Sequence, residues 1–94
     1  MLQVTTSAAT TLSDARTQVG LPDHFGIRIF RGVTDGRSAF EFDFVEEPED
    51  GDEVGEIQDT RYYVAPEVAR PLANAVLDAE ETTQGPQLTL KKQE

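Results

Sequence analysis

The side chains able to do chemistry fall into a few groups. His24 is the only histidine, set between Asp23 and Phe25. A histidine works as a general base or a metal ligand only with partners, and its neighbours in the chain name none. It reads as a surface or capping residue. The second group is a run of carboxylates: Glu46, Glu47, Glu49, Asp50, Asp52, Glu53 and Glu56. Hard oxygen ligands in a loop suit calcium, magnesium or manganese. The spacing does not make an EF-hand, because with Gly51 as the central glycine, Pro48 and Ile57 fall where acids are required. Tyr62 and Tyr63 are adjacent on a predicted strand and so point to opposite faces, one expected in the core and one exposed. No Ser-His-Asp arrangement, Gly-x-Ser-x-Gly elbow or glycine-rich phosphate loop occurs, so no enzyme chemistry is expected. The chain has no cysteine. Disulfides, thiolate metal sites and cysteine nucleophiles are excluded together.

Charge narrows the partner classes. The 94 residues carry 18 acids and 8 bases, a net charge of −10. That argues against nucleic acid and against anionic membrane. Ten of the acids lie between Ser38 and Thr60 with no base among them, leaving eight acids and eight bases on the rest of the chain. The net charge is one acidic window. Its carboxylates read as a solvated loop, with two further readings open: a docking surface for a basic partner, or a loose divalent-cation site.

The elements that must position these residues can be read from periodicity. Leu2-Gln3-Val4 suits a short leading strand, and Thr5, Thr6 and Ser7 are three candidate N-caps. Ala8, Leu12, Ala15 and Val19 form a single helical stripe, which Gly20 and Pro22 stop, giving a predicted helix from about Ser7 to Val19. Gly26–Arg31 alternates partly and Phe40–Phe44 strictly, aromatic in and carboxylate out. Asp35-Gly36 between them is a two-residue hairpin turn, because both positions tolerate positive φ. Centring the hairpin there sets Ile27 opposite Phe44, Ile29 opposite Phe42 and Arg28 opposite Asp43.

Glu46–Asp52, with Pro48 and Gly51, is an exposed loop. Val54–Ile57 and Arg61–Ala65 make a second hairpin through Gln58-Asp59-Thr60. Pro66 and Glu67 suit the first turn of a helix that Pro71 keeps short or kinks. Ala75–Glu81 fits helix or strand, Thr82–Pro86 is a turn, and Gln87–Lys91 alternates like a terminal strand. The length allows one domain, residues 1–94. Met1–Thr11 has neither a basic nor an apolar region of a signal peptide, and no apolar run is long enough to span a bilayer, so a cytoplasmic location is expected.

The order of these pieces resembles the A-type iron–sulfur carriers, the HesB/IscA-like family or iron–sulfur biosynthesis core domain. The likeness covers roughly Leu2 to Lys92. It begins at Val4-Thr5-Thr6-Ser7-Ala8-Ala9, similar to the family's strand and T-x-x-A helix start. It continues through Gly26-Ile27-Arg28-Ile29 and is most telling at Phe42-Asp43-Phe44-Val45-Glu46-Glu47-Pro48, near the family's E-F-V-D-E-P strand end. Asp52-Glu53-Val54 and Arg61-Tyr62-Tyr63-Val64-Ala65-Pro66 match the next hairpin, and Leu77-Asp78, Gly85-Pro86 and Leu88-Thr89-Leu90 the last.

The resemblance implies an α+β fold, mostly β: a compact sandwich of two short mixed sheets with two helices. On it, Ala75–Glu81 is a strand. It implies an iron–sulfur cluster as cofactor, held by one loop cysteine and two in a C-G-C tail. The loop position falls at about Asp35 or Gly36, and the tail should follow Lys91-Lys92, where the sequence runs on only to Glu94. The expected ligands are therefore missing, and carboxylates are poor substitutes for thiolates. The function expected is a cysteine-free, non-enzymatic accessory or interaction protein related to iron–sulfur cluster assembly. Its partner would be a protein, of the assembly pathway or another, and a homo-oligomer is implied by the family's habit of dimers and tetramers. The alternative is an oxygen-ligand divalent metal-binding protein using Glu46, Glu47, Glu49, Asp50, Asp52 and Glu53, with His24.

Overall fold

The computed structural model describes residues 2–92. Strand β1 (Gln3–Val4) leads into helix α1 (Thr6–Gln18), then strands β2 (Gly26–Thr34), β3 (Arg37–Val45), β4 (Glu53–Ile57) and β5 (Thr60–Val64). A single-turn helix α2 (Pro66–Ala69) precedes β6 (Ala75–Thr82) and β7 (Gly85–Lys92). The strands form two mixed sheets, β1-β6-β7 and β3-β2-β5-β4, with β1 parallel to β6 and β2 parallel to β5. This is the α+β sandwich of two short mixed sheets with two helices that the resemblance implied, and Ala75–Thr82 is strand.

The β2–β3 hairpin has the expected register: Ile27 faces Phe44, Arg28 faces Asp43 and Ile29 faces Phe42. Asp35 and Gly36 both take positive φ, 54° and 77°, closing the turn as an Asp-Gly pair should. The second hairpin is one residue tighter than expected. Gln58 and Asp59 alone make its turn, with φ of 48° and 63°, and Thr60 already belongs to β5.

Between the sheets lies one core, built from Leu2 and Val4, Ala8 and Leu12 of α1, Ile27 and Ile29, Tyr62 and Val64, and Ala75 and Leu77, with Val68 and Leu72 at its end. Fully burying each large aliphatic side chain contributes about 2 kcal/mol. Thr5 is the N-cap the structure selects, accepting the Ala8 N–H at 3.1 Å. Its hydroxyl donates to Asp78 Oδ1 at 2.7 Å, tying the start of α1 to β6.

Three expectations about burial are corrected. Val19, on the predicted helical stripe, is 64% exposed because the helix ends at it, while Arg16 occupies the buried face. Phe40 is exposed, unlike its strand neighbours Phe42 and Phe44, since it lies beyond the part of β3 that packs on the core. Tyr62 and Tyr63 are both buried. β5 is an inner strand, flanked by β2 and β4. Gly55 and Gly26 make room for the rings: a Cβ on Gly55 would strike the Tyr62 ring, and one on Gly26 would come within 2.7 Å of Tyr63 Cε2.

Candidate interaction surface

Where β3 runs out at Val45, the chain enters the acidic segment and returns at Glu53. The loop is anchored by Arg28. Its guanidinium Nε donates to Asp52 Oδ2 at 2.9 Å and Nη2 to Asp52 Oδ1 at 3.2 Å, while Nη1 lies 3.4 Å from Glu49 Oε2. The Asp52 side chain is completely buried. Asp52 Oδ2 also accepts the Glu49 N–H at 2.9 Å, and the Asp52 N–H donates to the Glu49 carbonyl at 3.1 Å. Burial opposes the charge of this carboxylate, but the Arg28 hydrogen bonds, the Glu49 N–H and the Arg28 charge prevail and hold its pKa below the usual value. The Asp52 hydrogen bond chiefly raises the pKa of Arg28.

This geometry changes two sequence expectations. Arg28 does face Asp43 across the ladder, but its guanidinium pairs with Asp52, 24 residues away. A bidentate carboxylate on an otherwise buried guanidinium outcompetes an exposed cross-strand neighbour. Asp52 is thereby withdrawn from the surface. Glu46, Glu47, Glu49, Asp50 and Glu53 remain exposed as the acidic face. His24 is exposed as well, with Nε2 3.6 Å from Glu46 Oε2 and its ring beside Phe25. Among the described residues, no three histidine or carboxylate side chains gather as metal ligands would.

Asp35 and Gly36 stand exposed at the tip of the first hairpin, at the other end of β2 and β3 from the acidic loop. Beside the tip, Val33 is 73% exposed and Phe40 40%. Phe40 also lines a groove of about 300 Å³ whose floor is Pro71, Leu72, Ala75 and Leu90, with Lys91 and Lys92 at its rim. A second depression, lined by Arg31, Ser38 and Ala39, shares Phe40 with it. Lys91 is held by Glu80, Nζ to Oε1 at 2.6 Å, which raises its pKa. The groove thus draws β3, the segment after α2 and the end of β7 into one apolar patch with a basic rim. Sequence periodicity could not reveal it, since its walls come from three distant stretches.

These residues do not fit an iron–sulfur cluster. Such clusters are held by soft thiolates, and the sequence contains no cysteine. The tip offers one exposed carboxylate, Asp35, whose place in the turn is explained by its positive φ. What the arrangement offers is contact surface: a carboxylate face at one end and an apolar, basic-rimmed patch at the other.

No protein-family model and no curated protein matches the chain. Solved structures do. IscA with its [2Fe-2S] cluster superposes with a TM-score of 0.83 at 21% identity, over 98% of this chain and 85% of that one. Escherichia coli SufA, involved in biosynthesis of iron–sulfur clusters, gives a TM-score of 0.76 at 16% identity, over 97% and 79%. An Aquifex aeolicus protein solved by NMR gives 0.73 at 18% identity, over 97% and 90%. The chain has the HesB/IscA-like fold of the A-type carriers.

Proposed function

We propose that this chain is a non-enzymatic accessory or interaction protein of iron–sulfur cluster assembly, acting as a single cytoplasmic domain that does not ligate a cluster through thiolates. The observation that carries this reading is the close superposition on IscA over 98% of a chain without a cysteine. A scaffold kept without its ligands retains what the rest of the scaffold offers, which is surface. Two surfaces are available for a protein partner or a second copy of the chain. The acidic face of Glu46, Glu47, Glu49, Asp50 and Glu53 suits a basic partner. The Phe40 patch at the hairpin tip has the exposed aromatic that commonly anchors an interface.

The oxygen-ligand metal reading draws less support. The carboxylate best placed to be fixed as a ligand, Asp52, is already neutralised by Arg28.

Affinity capture of the full chain from its own cells tests the proposal, read together with the activity of cluster-dependent enzymes after deletion of the gene. Recovery of assembly proteins, lost when Phe40→Asp or a charge reversal of Glu46, Glu47 and Glu49 is introduced, is the expected result. Capture of no assembly protein, with cluster enzymes unaffected by deletion, would overturn it.

A further inference from the structure

Arg16 is a cation buried in the fold with no carboxylate to neutralise it. It sits on the inward face of α1 at 6% exposure. Its Nη1 donates to the Phe25 carbonyl at 2.9 Å and its Nη2 makes a long contact of 3.5 Å with Ser13 Oγ. Nε is buried with no acceptor. A guanidinium has five N–H donors, so most of this group's capacity is unused. No carboxylate of the described residues lies within ion-pair distance of it. An unpaired buried charge is costly, and the Phe25 bond holds the group in place rather than discharging it.

Arg16 lines a cleft of about 630 Å³ that is open to solvent. Asp23, His24, Glu56, Asp59 and Arg61 line it as well. Arg61 is loosely paired with Glu56 at 4.0 Å, whereas Asp23 and Asp59 have no cation within that distance. The cleft therefore joins a buried guanidinium that has no carboxylate partner to two exposed carboxylates, Asp23 and Asp59, that have no cation partner. A simple anion would be drawn to Arg16 but repelled by Asp23 and Asp59, and a simple cation the reverse. A ligand with both charges is favoured by both ends.

The geometry points to a binding site for a small zwitterion of the amino-acid class, its carboxylate on Arg16 and its ammonium between Asp23 and Asp59. This site is separate from the acidic loop and the hairpin-tip patch, and it can stand or fall without them.

Titration of the isotope-labelled full chain by NMR tests it, with glycine, β-alanine and 4-aminobutyrate as probes and acetate and butylamine as single-charge controls. At least one amino acid should shift the amides of Ser13, Arg16 and Asp59 and bind about tenfold more tightly than either control. Arg16→Met should weaken that binding by at least about tenfold. Should that variant unfold, Asp23→Asn with Asp59→Asn, both at exposed positions, should remove the preference over acetate. Zwitterions that bind no better than acetate and butylamine, or a preference that survives the double variant, would overturn the assignment.

Discussion

Arg28 and Asp52 are where the protein concentrates its electrostatic stabilisation. Asp52 has a pKa below its unfolded value, so its contribution is complete above the unfolded pKa and is lost as pH falls through the folded one. Asp52→Asn leaves Arg28 facing a neutral group in a buried site and should cost about 3 kcal/mol at neutral pH. The gap between wild type and variant in urea denaturation should hold down to pH about 4 and close below it. A gap that stays constant into strong acid would remove Asp52 from that role. The sequence made Arg28 visible as a charged residue on an apolar strand, with Asp43 opposite it. Its true partner lies in a loop, and no local rule places a loop carboxylate under a strand 24 residues earlier. Arg16 escaped notice for a related reason: helical periodicity scores arginine as polar and assigns it to solvent.

At the level of elements, the hairpins show how backbone preference and packing divide the work. Asp35-Gly36 is written in the sequence because those residue types accept positive φ cheaply. Gln58-Asp59 forms the same kind of turn with a residue that does not favour it, so the tighter register was not legible there. Gln58→Asn should relieve part of that strain and raise stability by roughly 0.5–1 kcal/mol in thermal or urea melts. Gly55→Ala should act in the opposite direction. Its methyl would collide with the Tyr62 ring, which is buried and donates its hydroxyl to the Leu2 carbonyl at 3.4 Å. A loss of roughly 1–3 kcal/mol, seen as a fall in Tm of roughly 5–15 °C, is expected. No loss would mean that the ring moves freely aside. The ambiguity of Ala75–Glu81 belongs to this level too. Its alanines and glutamates favour helix, and its pairing with β1 on one side and β7 on the other decides for strand. Periodicity could not supply that tertiary override.

Across the whole molecule, the fold was more legible than the site. The two-sheet sandwich was implied by the family resemblance that the order of strands and turns carries, while Ala75–Glu81 had no decisive local signal of its own. The surfaces had no such signal: the Phe40 groove needs β3, the segment after α2 and β7 in place before it exists. Charge is also arranged at this scale. The acidic loop from Glu46 to Glu53 lies at one end of the β2–β3 hairpin, while Lys91, Lys92 and Arg31 border the patch near the other. A chain with the carriers' architecture and none of their thiolates should present surfaces to partners and leave iron and sulfide in solution. Anaerobic reconstitution with ferrous iron and sulfide, run beside IscA and followed by gel filtration with absorbance, iron and sulfide assays, tests that claim most directly. Iron and sulfide should elute apart from this chain while IscA takes up its cluster. A stoichiometric cluster chromophore co-eluting with this cysteine-free protein would contradict it.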